Sequence, residues 1–600
     1  VVAGIQDYGN KLGLPTVNGA VLYDPGYTSN PLVFCGCVGL APKGRHVRQA
    51  QPGDRVLVLG GRTGRDGLRG ATYSSMTMDA QTGEVAGDPI TEKGLVEVIT
   101  RARDLGLYHA ITDCGAGGLS SAVGEMASHT GAEVELTAVR LKYPGLAPWE
   151  IWLSEAQERM VLAAPAAALP ALQDLCDTYG VELTDIGAFT GTGRLEVRYA
   201  GRPVLDLANS FLHAGLPQRE LTALWDDKGR KATDDTGASP TIVGRQSSEH
   251  FNSTLLRLLA HPTIASKADI IRVYDHEVQG GTVVRPLTGA ENDGPADACV
   301  LKPFGTRGAR GLALANGLNP QFGKLDPYRM ALSAVDEAIR NAVAVGADPE
   351  RLALLDNFCW GDPRRPETLG ALVRAAQGCH TAALHYRAPF ISGKDSLNNE
   401  YLGADGQRHA IPPTLLISAI AVIDDVNGAV TMDLKEPGDV IYLLGETRAE
   451  FGGSHWSLIQ GKVDGDPASV PGLPAYAPAL YRALHAAMEA GLVRACHDLS
   501  EGGLAVAAAE MSLAGRLGLA LTLEAADPLT ALFSESNGRL LVEVRPADCP
   551  GFEARLAGLP LARLGLVTGA PWLSISTRQK TLIALDVPTL VRAWNMPAHN

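Results

Sequence analysis

Two short segments of this sequence place an acidic residue just before a pair of glycines. They read DCGAGG from Asp113 and DLSEGG from Asp498, and each follows a short apolar stretch and precedes an apolar helical pattern. Glycines let backbone amides approach a phosphate, the helix dipole favours its negative charge, and a carboxylate can ligate the accompanying Mg²⁺. An acidic residue before a tight glycine turn is also ordinary turn chemistry, so a phosphate site and a structural turn both stay open.

The glycine-rich segment GGRTGRDG, residues 60–67, follows an apolar strand. Its backbone amides could wrap an anion while Arg62 or Arg65 donates hydrogen bonds to the same anion. The segment does not fit the Walker pattern, which ends in Gly-Lys-Ser/Thr. A flexible exposed hairpin is the alternative interpretation.

The segment ISGKDSLNNE, residues 391–400, is a dense cluster of polar side chains. It places Lys394, Asp395 and Ser396 within one predicted turn, and LLDNFCWGDP similarly ends an apolar strand at Asp356. Lysine supplies charge to a phosphate, aspartate is a hard oxygen ligand, and serine can donate to a substrate. For both segments, a capped polar turn and a binding site are equally good interpretations.

All of these segments lie in an internal repeat, which decides the architecture. PGDRVLVLGG (52–61) returns as PGDVIYLLGE (437–446), and residues 106–126 return as 491–511, both at an offset of 385; SEAQERM (154–160) pairs with SESNGRL (534–540), and GLPTVNGAVL (13–22) with RAPFISGKDSL (387–397). In each copy a Pro-Gly-Asp turn opens a strand, a helix ending in glycine follows, and a short strand then ends at the aspartate. This alternation predicts α/β or α+β layering.

Composition limits the classes of function. At 600 residues the chain is long enough for about four domains. The net charge of −14 argues against a nucleic-acid partner, and no apolar run reaches the length of a membrane helix. No signal-like segment opens the chain, so a cytoplasmic location is expected. The nine scattered cysteines are interpreted as reduced thiols, with Cys35 and Cys37 as buried strand residues, and His497 as a structural group rather than a base.

Taken together, the motifs resemble phosphoribosylformylglycinamidine synthase in its small synthetase-subunit form. GGRTGRDG, DCGAGG, SEAQERM, LDPYRMAL, ISGKDSLNNE and HDLSEGGLAVAAAEM occur in the order of that family and cover nearly the whole chain. The resemblance implies two tandem copies of the aminoimidazole ribonucleotide synthetase-like fold. Each copy would have an A half, which pairs into a β-barrel-like core, and an α/β B half.

The resemblance also implies the reaction. Formylglycinamide ribonucleotide, ATP and ammonia would give formylglycinamidine ribonucleotide, ADP and phosphate, with Mg²⁺ as the metal. A separate glutaminase subunit and a small bridging subunit are the implied partners, because the cysteines form no dedicated glutaminase domain. A noncatalytic nucleotide-binding scaffold, or another synthetase or kinase of the same superfamily, is the alternative; the duplication disfavours the single-copy members.

The family motifs imply roles for particular residues. Asp113 corresponds to a magnesium ligand; Glu155, Ala156, Gln157 and Ser396 correspond to substrate contacts; and Asp356 and Gly393 correspond to ATP contacts. Lys394 stands where many relatives have a magnesium-binding asparagine, so that role can pass to Asp395. Relatives have a substrate-contacting glutamine where this chain has Val85.

The expected domain division follows from the resemblance. It is a remnant of the first A half (1–48), the first B half (49–200), a connector (201–295), the second A half (296–433), the second B half (434–578) and a C-terminal tail (579–600). Residues 325–363 of the second copy would have counterparts ahead of Val1. The catalytic histidine of the family is expected in that upstream part of the first A half, so no catalytic residue is assigned within this sequence.

Overall fold

The computed structural model describes residues 1–45, 49–69, 76–77, 87–225, 247–461 and 466–596. The chain divides into two compact units. Unit 1 contains Val1–Leu14, Val33–Leu221 and Tyr401–Arg408, and unit 2 contains Pro15–Leu32, Thr222–Glu400 and His409–Asn600. None of the helices in the described ranges combines the length and apolar character needed to cross a membrane.

Unit 1 is built on one seven-stranded sheet. Its strands are β1 (Arg55–Gly60), β2 (Ala110–Asp113), β3 (Ala132–Glu135), β4 (Arg159–Ala164), β5 (Leu183–Phe189), β6 (Arg194–Tyr199) and β7 (Arg202–Ala208), in the order β2-β4-β1-β5-β3-β6-β7. Its helices are α1 (Val2–Leu12), α2 (Pro89–Leu105), α3 (Leu119–Met126), α4 (Pro148–Leu153), α5 (Leu169–Tyr179) and α6 (Asn209–Ala214). The β3–β6 pair is parallel.

The apolar run that opens the first B half forms the central strand β1. Successive side chains of a strand point to opposite faces, so Val56 and Val58 enter one core while Leu57 and Leu59 enter another. Helices α2 and α5 cover the leucine face. Helix α2 begins after Asp88, whose carboxylate accepts from two backbone N–H groups, and ends at Gly106 with a left-handed φ of 68°.

Unit 2 contains the remaining elements. Its helices are α7 (Ser248–Leu259), α8 (Ala268–Ile271), α9 (Pro320–Leu325), α10 (Pro327–Ala344), α11 (Pro366–Tyr386), α12 (His455–Ile459), α13 (Ala477–Glu489), α14 (Gly503–Gly515), α15 (Pro528–Phe533), α16 (Cys549–Arg555) and α17 (Val587–Asn595). Its strands before residue 430 are β8 (Thr282–Val284), β9 (Leu287–Thr288), β10 (Gly294–Pro295), β11 (Cys299–Leu301), β12 (Gly311–Gly317), β13 (Leu352–Cys359), β14 (Phe390–Ser396), β15 (Glu400–Leu402), β16 (Arg408–Ala410) and β17 (Thr414–Ile423), of which the β15–β16 hairpin falls at the boundary with unit 1. The later strands are β18 (Val440–Leu444), β19 (Ala495–Asp498), β20 (Gly518–Leu523), β21 (Leu540–Val544), β22 (Leu561–Thr568), β23 (Trp572–Thr577) and β24 (Thr581–Asp586).

The last sheet repeats the topology of the first. Its order, β19-β21-β18-β22-β20-β23-β24, matches that of unit 1 strand for strand, including the parallel β20–β23 pair. The register shift between Val56 and Leu57 recurs between Ile441 and Tyr442, at the 385-residue offset of the repeat. This agreement confirms the tandem duplication and the α/β (α+β) fold class.

The second A half forms a sheet of its own, in the order β14-β13-β17-β12-β11-β8. The long helices α10 and α11 pack together, and α10 also packs against strands β12 and β17. The sheet is open at both edges, so the described residues contain no closed barrel, and the barrel-like core is not confirmed.

Several local expectations differ from the structure. The connector was expected from residue 201, whereas Arg202–Ala208 is the edge strand β7 of the first sheet, and the expected tail after residue 578 contains the edge strand β24 and helix α17. Cys35 and Cys37 are exposed and lie outside any strand. The apolar segment around them does not pack into a hydrophobic core of the described residues. Val85 lies outside the described residues.

Candidate functional site

The turn between β2 and α3 is shaped by its glycines. Asp113 ends β2 with an exposed side chain, and its Oδ1 accepts from the backbone N–H of Gly115 at 2.7 Å. Gly117 and Gly118 have φ values of 81° and 57°, which other residues rarely adopt. A Cβ on Gly118 would lie 2.0 Å from the carbonyl oxygen of Ser154, so this glycine permits close approach of the segment after α4.

Three sequence motifs meet at this turn. The backbone N–H of Gly117 donates to Oε1 of Glu155 at 2.8 Å, and the N–H of Glu155 donates to the carbonyl oxygen of Gly67 at 2.7 Å. A Cβ on Gly67 would lie 2.1 Å from the amide nitrogen of Ala156. Ala156 is buried, while Gln157 is exposed. The structure therefore brings together the predicted residues of unit 1, which are Asp113, Glu155, Ala156 and Gln157.

Both arginines of GGRTGRDG, Arg62 and Arg65, form ion pairs with carboxylates. Arg62 forms an ion pair with Glu182 at 2.7 Å, and Arg65 forms one with Glu150 at 2.8 Å. The interpretation of either side chain as an anion clamp is therefore not supported, because each guanidinium already has a carboxylate partner.

Arg159 is a buried residue that the sequence analysis did not single out, and it links the segment after α4 to the glycine-rich segment. Arg159 donates from Nε to the carbonyl oxygen of Ala156 at 2.8 Å and from Nη1 to Oγ1 of Thr63 at 2.9 Å. Arg539, its counterpart in the second copy, donates to Ser536 and Thr447 in the same way. The signal was present in the sequence, since both aligned segments, SEAQERM and SESNGRL, carry this arginine.

Glu92 and Glu158 are two further carboxylates in the part of unit 1 that contains Asp113. The hydroxyl of Tyr8 donates to Oε1 of Glu158 at 2.9 Å, and Glu158 has a left-handed φ of 57°. Burial, together with the charges of Glu158 and Asp113, raises the pKa of Glu92. The charges of Glu158 and Asp113 therefore act on Glu92, so these three carboxylates belong to one acidic region of unit 1.

The predicted ATP contacts of unit 2 lie on neighbouring parallel strands. Asp356 on β13 is in register with Gly393 on β14. A Cβ on Gly393 would lie 2.4 Å from Oδ1 of Asp356, so any larger residue here would force the carboxylate to move. Burial, and then the charge of Asp395, raise the pKa of Asp356.

The segment after Gly393 is a strand and not the expected polar turn. Lys394 and Asp395 are exposed on β14, and Nζ of Lys394 donates to the carbonyl oxygen of Asp395 at 3.2 Å. Ser396 ends the strand, is buried, and its Oγ accepts from Nδ2 of Asn399 at 3.0 Å. The structure thus brings together Asp356, Gly393 and Asp395 within unit 2, with Ser396 at the end of the same strand.

Asp498, the counterpart of Asp113, has different surroundings. Nη2 of Arg340 lies 3.1 Å from its Oδ2, and the same guanidinium pairs with Asp336. Tyr481 and Tyr386 also donate to Asp336. Burial alone would raise the pKa of Asp498, but the charges of Arg340 and His497 lower it. This aspartate is therefore part of a satisfied buried network.

His497 completes this network. Its Nδ1 lies 2.7 Å from Oδ1 of Asp297, and its Nε2 lies 3.0 Å from Oε2 of Glu510. Burial opposes ionisation, yet the two carboxylates raise the pKa of His497 well above its usual value. The potential ligand atoms of Asp297, His497 and Asp498 lie within 4.8 Å of one another. Both ring nitrogens of His497 lie within hydrogen-bond distance of carboxylates, which is typical of a structural group.

Comparisons with known proteins agree with this architecture. Residues 1–41 and 295–423 match the family "AIR synthase related protein, N-terminal domain", and residues 51–200 and 436–576 match "AIR synthase related protein, C-terminal domain". The solved "Structure of PurLQS from Thermotoga maritima" covers 94% of this chain and 80% of its own, with 21% identity and a TM-score of 0.67. The fold and the paired sites therefore define a tandem AIR synthase-related protein.

Curated relatives narrow the assignment. The phosphoribosylformylglycinamidine synthase subunit PurL of Thermoplasma acidophilum is 33% identical over 99% of this chain and 77% of its own length, and that of Deinococcus radiodurans is 37% identical over 100% and 80%. The PurL of Picrophilus torridus is 35% identical over 77% of this chain, and the match spans 61% of that relative. This chain belongs to the PurL family of phosphoribosylformylglycinamidine synthase subunits.

Proposed function

We propose that this chain catalyses the ATP-dependent conversion of formylglycinamide ribonucleotide and ammonia to formylglycinamidine ribonucleotide, ADP and phosphate. Phosphoribosylformylglycinamidine synthases are carbon–nitrogen ligases of purine biosynthesis, and membership of their family carries the proposal. The structure of Thermotoga maritima "PurL complexed with FGAR" has the same fold, with a TM-score of 0.66.

The chemistry requires activation of an amide. An amide oxygen is a poor leaving group, so ATP would phosphorylate that oxygen, and ammonia would then displace the phosphate from the carbon. Such catalysis rests on positioning of the reactants and on neutralisation of phosphate charge. A glycine turn that exposes backbone amides beside an aspartate suits this task.

We assign the metal role in unit 1 to Asp113. Its side chain is exposed at the end of β2, and its Oδ1 accepts the N–H of Gly115, which holds the carboxylate at the turn where it would ligate the ion. When bound, Mg²⁺ would neutralise charge on the transferred phosphoryl group. Glu155, Ala156 and Gln157 would contact the ribonucleotide, since the Gly117–Glu155 hydrogen bond fixes their segment against the turn.

In unit 2, Asp356 and Gly393 are the proposed ATP contacts. Gly393 leaves room for the carboxylate of Asp356. Asp395 on the same strand offers an exposed carboxylate as the further metal ligand in place of the asparagine of relatives. Ser396 is the proposed substrate contact of this unit. Its hydroxyl would have to exchange its bond with Asn399 for one to the substrate.

Ammonia would come from a separate glutaminase subunit, with a small bridging subunit completing the assembly. The Thermotoga maritima structure described as PurLQS supports an enzyme that works with further components. The cytoplasmic location stays a prediction.

The decisive experiment measures ADP formation with formylglycinamide ribonucleotide, ATP, Mg²⁺ and a high concentration of ammonia. It is run on this chain and on a chain extended upstream of Val1. We expect ADP release that depends on the ribonucleotide in at least the extended chain. Nucleotide binding without such turnover in either chain would favour the noncatalytic scaffold instead.

A further inference from the structure

The guanidinium of Arg159 is a buried cation whose hydrogen-bond partners are all uncharged. Arg159 is 3% exposed, and it donates to the carbonyl oxygens of Ser154 and Ala156 and to Oγ1 of Thr63. None of the described carboxylates forms an ion pair with it, although the charge of Asp66 acts on it, and burial lowers its pKa. Because burying a cation without an anionic partner is unfavourable, its presence points to a role in the shape of the segment that it holds.

The buried guanidinium fixes the direction of two peptide groups. The C=O and N–H of a trans peptide point in opposite directions, and none of the described peptide bonds is cis. The carbonyl of Ser154 faces the guanidinium, and the N–H of the same peptide, that of Glu155, donates on the opposite side to Gly67 at 2.7 Å. The carbonyl oxygen of Ala156 also accepts from the guanidinium, at 2.8 Å, so the N–H of Gln157 points away from it.

The backbone N–H of Gln157 is a donor without an acceptor in the described part of the chain. Gln157 is exposed, so a ligand can reach it from solvent. The side chain of Gln157 is engaged within its own segment, since its Nε2 donates to the carbonyl oxygen of Glu155 at 3.1 Å. The backbone N–H is therefore the donor that this segment presents on the side opposite Arg159.

The second copy has the same arrangement, but the corresponding residue is covered. Arg539 donates to two carbonyl oxygens of its own segment, at 2.6 and 2.9 Å. Asn537, the counterpart of Gln157, is 5% exposed and donates from Nδ2 to Ser333 and Gly472. The arginine thus shapes the turn in both copies, while only the first copy presents the shaped segment to solvent.

We propose that Arg159 is a positioning residue for the ribonucleotide. It holds the carbonyl of Ala156 so that the N–H of Gln157 donates a hydrogen bond to an oxygen of formylglycinamide ribonucleotide. This inference rests on the proposed function, in which the segment from Glu155 to Gln157 contacts that substrate. A hydrogen bond that is equally strong in the bound state and in the transition state contributes to affinity. Its loss therefore raises KM for the ribonucleotide and leaves kcat nearly unchanged.

The test measures kcat and KM for the ribonucleotide through ADP formation, on the chain that turns over in that assay. We expect Arg159→Met to raise this KM about tenfold with little change in kcat. Arg159→Lys keeps a cation that can donate to a carbonyl oxygen, so it should recover part of the loss. Arg539→Met is the matched control from the second copy. It should lower the midpoint of thermal unfolding as Arg159→Met does, and leave the KM unchanged.

The outcomes separate this inference from the proposed function. Turnover by the parent with an unchanged KM in both Arg159 variants would overturn the inference alone, and Arg159→Lys decides by itself if Arg159→Met does not fold. An equal rise in KM for Arg539→Met would also overturn it, because the effect would then follow from lost stability. A parent without ribonucleotide-dependent ADP formation would overturn the proposed function, and this inference with it.

Discussion

Asp113 and Asp498 end the same strand in the two copies, but Asp498 is buried 3.1 Å from the guanidinium of Arg340 while Asp113 is exposed. A carboxylate that already has a buried cationic partner is electrostatically satisfied. An exposed carboxylate stays accessible to a cation from solvent. The duplicated turn therefore carries an exposed carboxylate in the first copy and a buried, ion-paired carboxylate in the second.

Asp113→Asn should impair catalysis and leave the fold intact. The substitution removes one negative charge from the proposed Mg²⁺ site, so we expect ADP formation to fall by on the order of 100-fold. The midpoint of thermal unfolding should stay unchanged, because the side chain is exposed. Steady-state kinetics at several Mg²⁺ concentrations, with thermal unfolding alongside, make the measurement. Unchanged activity at limiting Mg²⁺ would remove Asp113 from the site.

Arg340→Met should have the opposite profile, a strong loss of stability. It leaves Asp336 and Asp498 buried without their cation, and breaking a buried pair in this way costs roughly 3–5 kcal/mol. Thermal unfolding should show a lower midpoint. Adding Asp498→Asn to this variant should restore part of the loss, because one unpaired charge is removed. No recovery in the double variant would contradict an electrostatic origin.

The topology of the B halves could be predicted from the sequence, while the pairing around Arg340 could not. Alternating apolar residues in RVLVLG and the repeated Pro-Gly-Asp turns identify strands, because the period of side-chain direction is local. Arg340 lies in a helix 158 residues before Asp498, and nothing local distinguishes it from a surface arginine. The edge strand Arg202–Ala208 was not predicted. It pairs on one side only and its side chains are exposed or half-buried, so the segment resembles the polar connector that follows it.

The candidate site, too, could be predicted from the sequence only in part. Gly117, Gly118 and Gly393 were recognised by motif. The structure gives a different reason for each glycine: a positive φ at Gly117, a positive φ and a close backbone carbonyl at Gly118, and a close carboxylate at Gly393. The hydrogen bond of Ser396 with Asn399 depends on how the chain continues after β14. A sequence cannot indicate that this hydroxyl is buried, because burial is decided by the packing of distant segments.

Gly393→Ala should weaken nucleotide binding. Its Cβ would meet Oδ1 of Asp356 at 2.4 Å, so the aspartate must move from its place beside the strand. We expect ATP affinity to fall by roughly tenfold, which corresponds to about 1.4 kcal/mol. Gly428→Ala is the matched control, because a Cβ there meets nothing within 4 Å. Isothermal titration calorimetry measures both variants, and equal affinities would show that Asp356 does not contact ATP.

Glu543→Gln should make the protein less sensitive to alkaline pH. Burial and the hydrogen bond with Asp439 raise the pKa of Glu543 to about 8 from a usual value of 4.5. Between these values the folded state holds a proton that the unfolded state has released, so stability is greatest below pH 4.5 and falls as the pH rises to 8. The glutamine cannot ionise, and its single Oε1 can still accept from the backbone N–H groups of Lys435 and Glu436, which both reach Oε1 of Glu543. Between pH 5 and pH 8.5, thermal unfolding should show the stability of the variant rising relative to that of the parent by on the order of 4 kcal/mol. Glu220→Gln, at an exposed carboxylate, controls for the loss of one charge. If the stability of the parent and of Glu543→Gln changed equally with pH, Glu543 would not hold a buried proton.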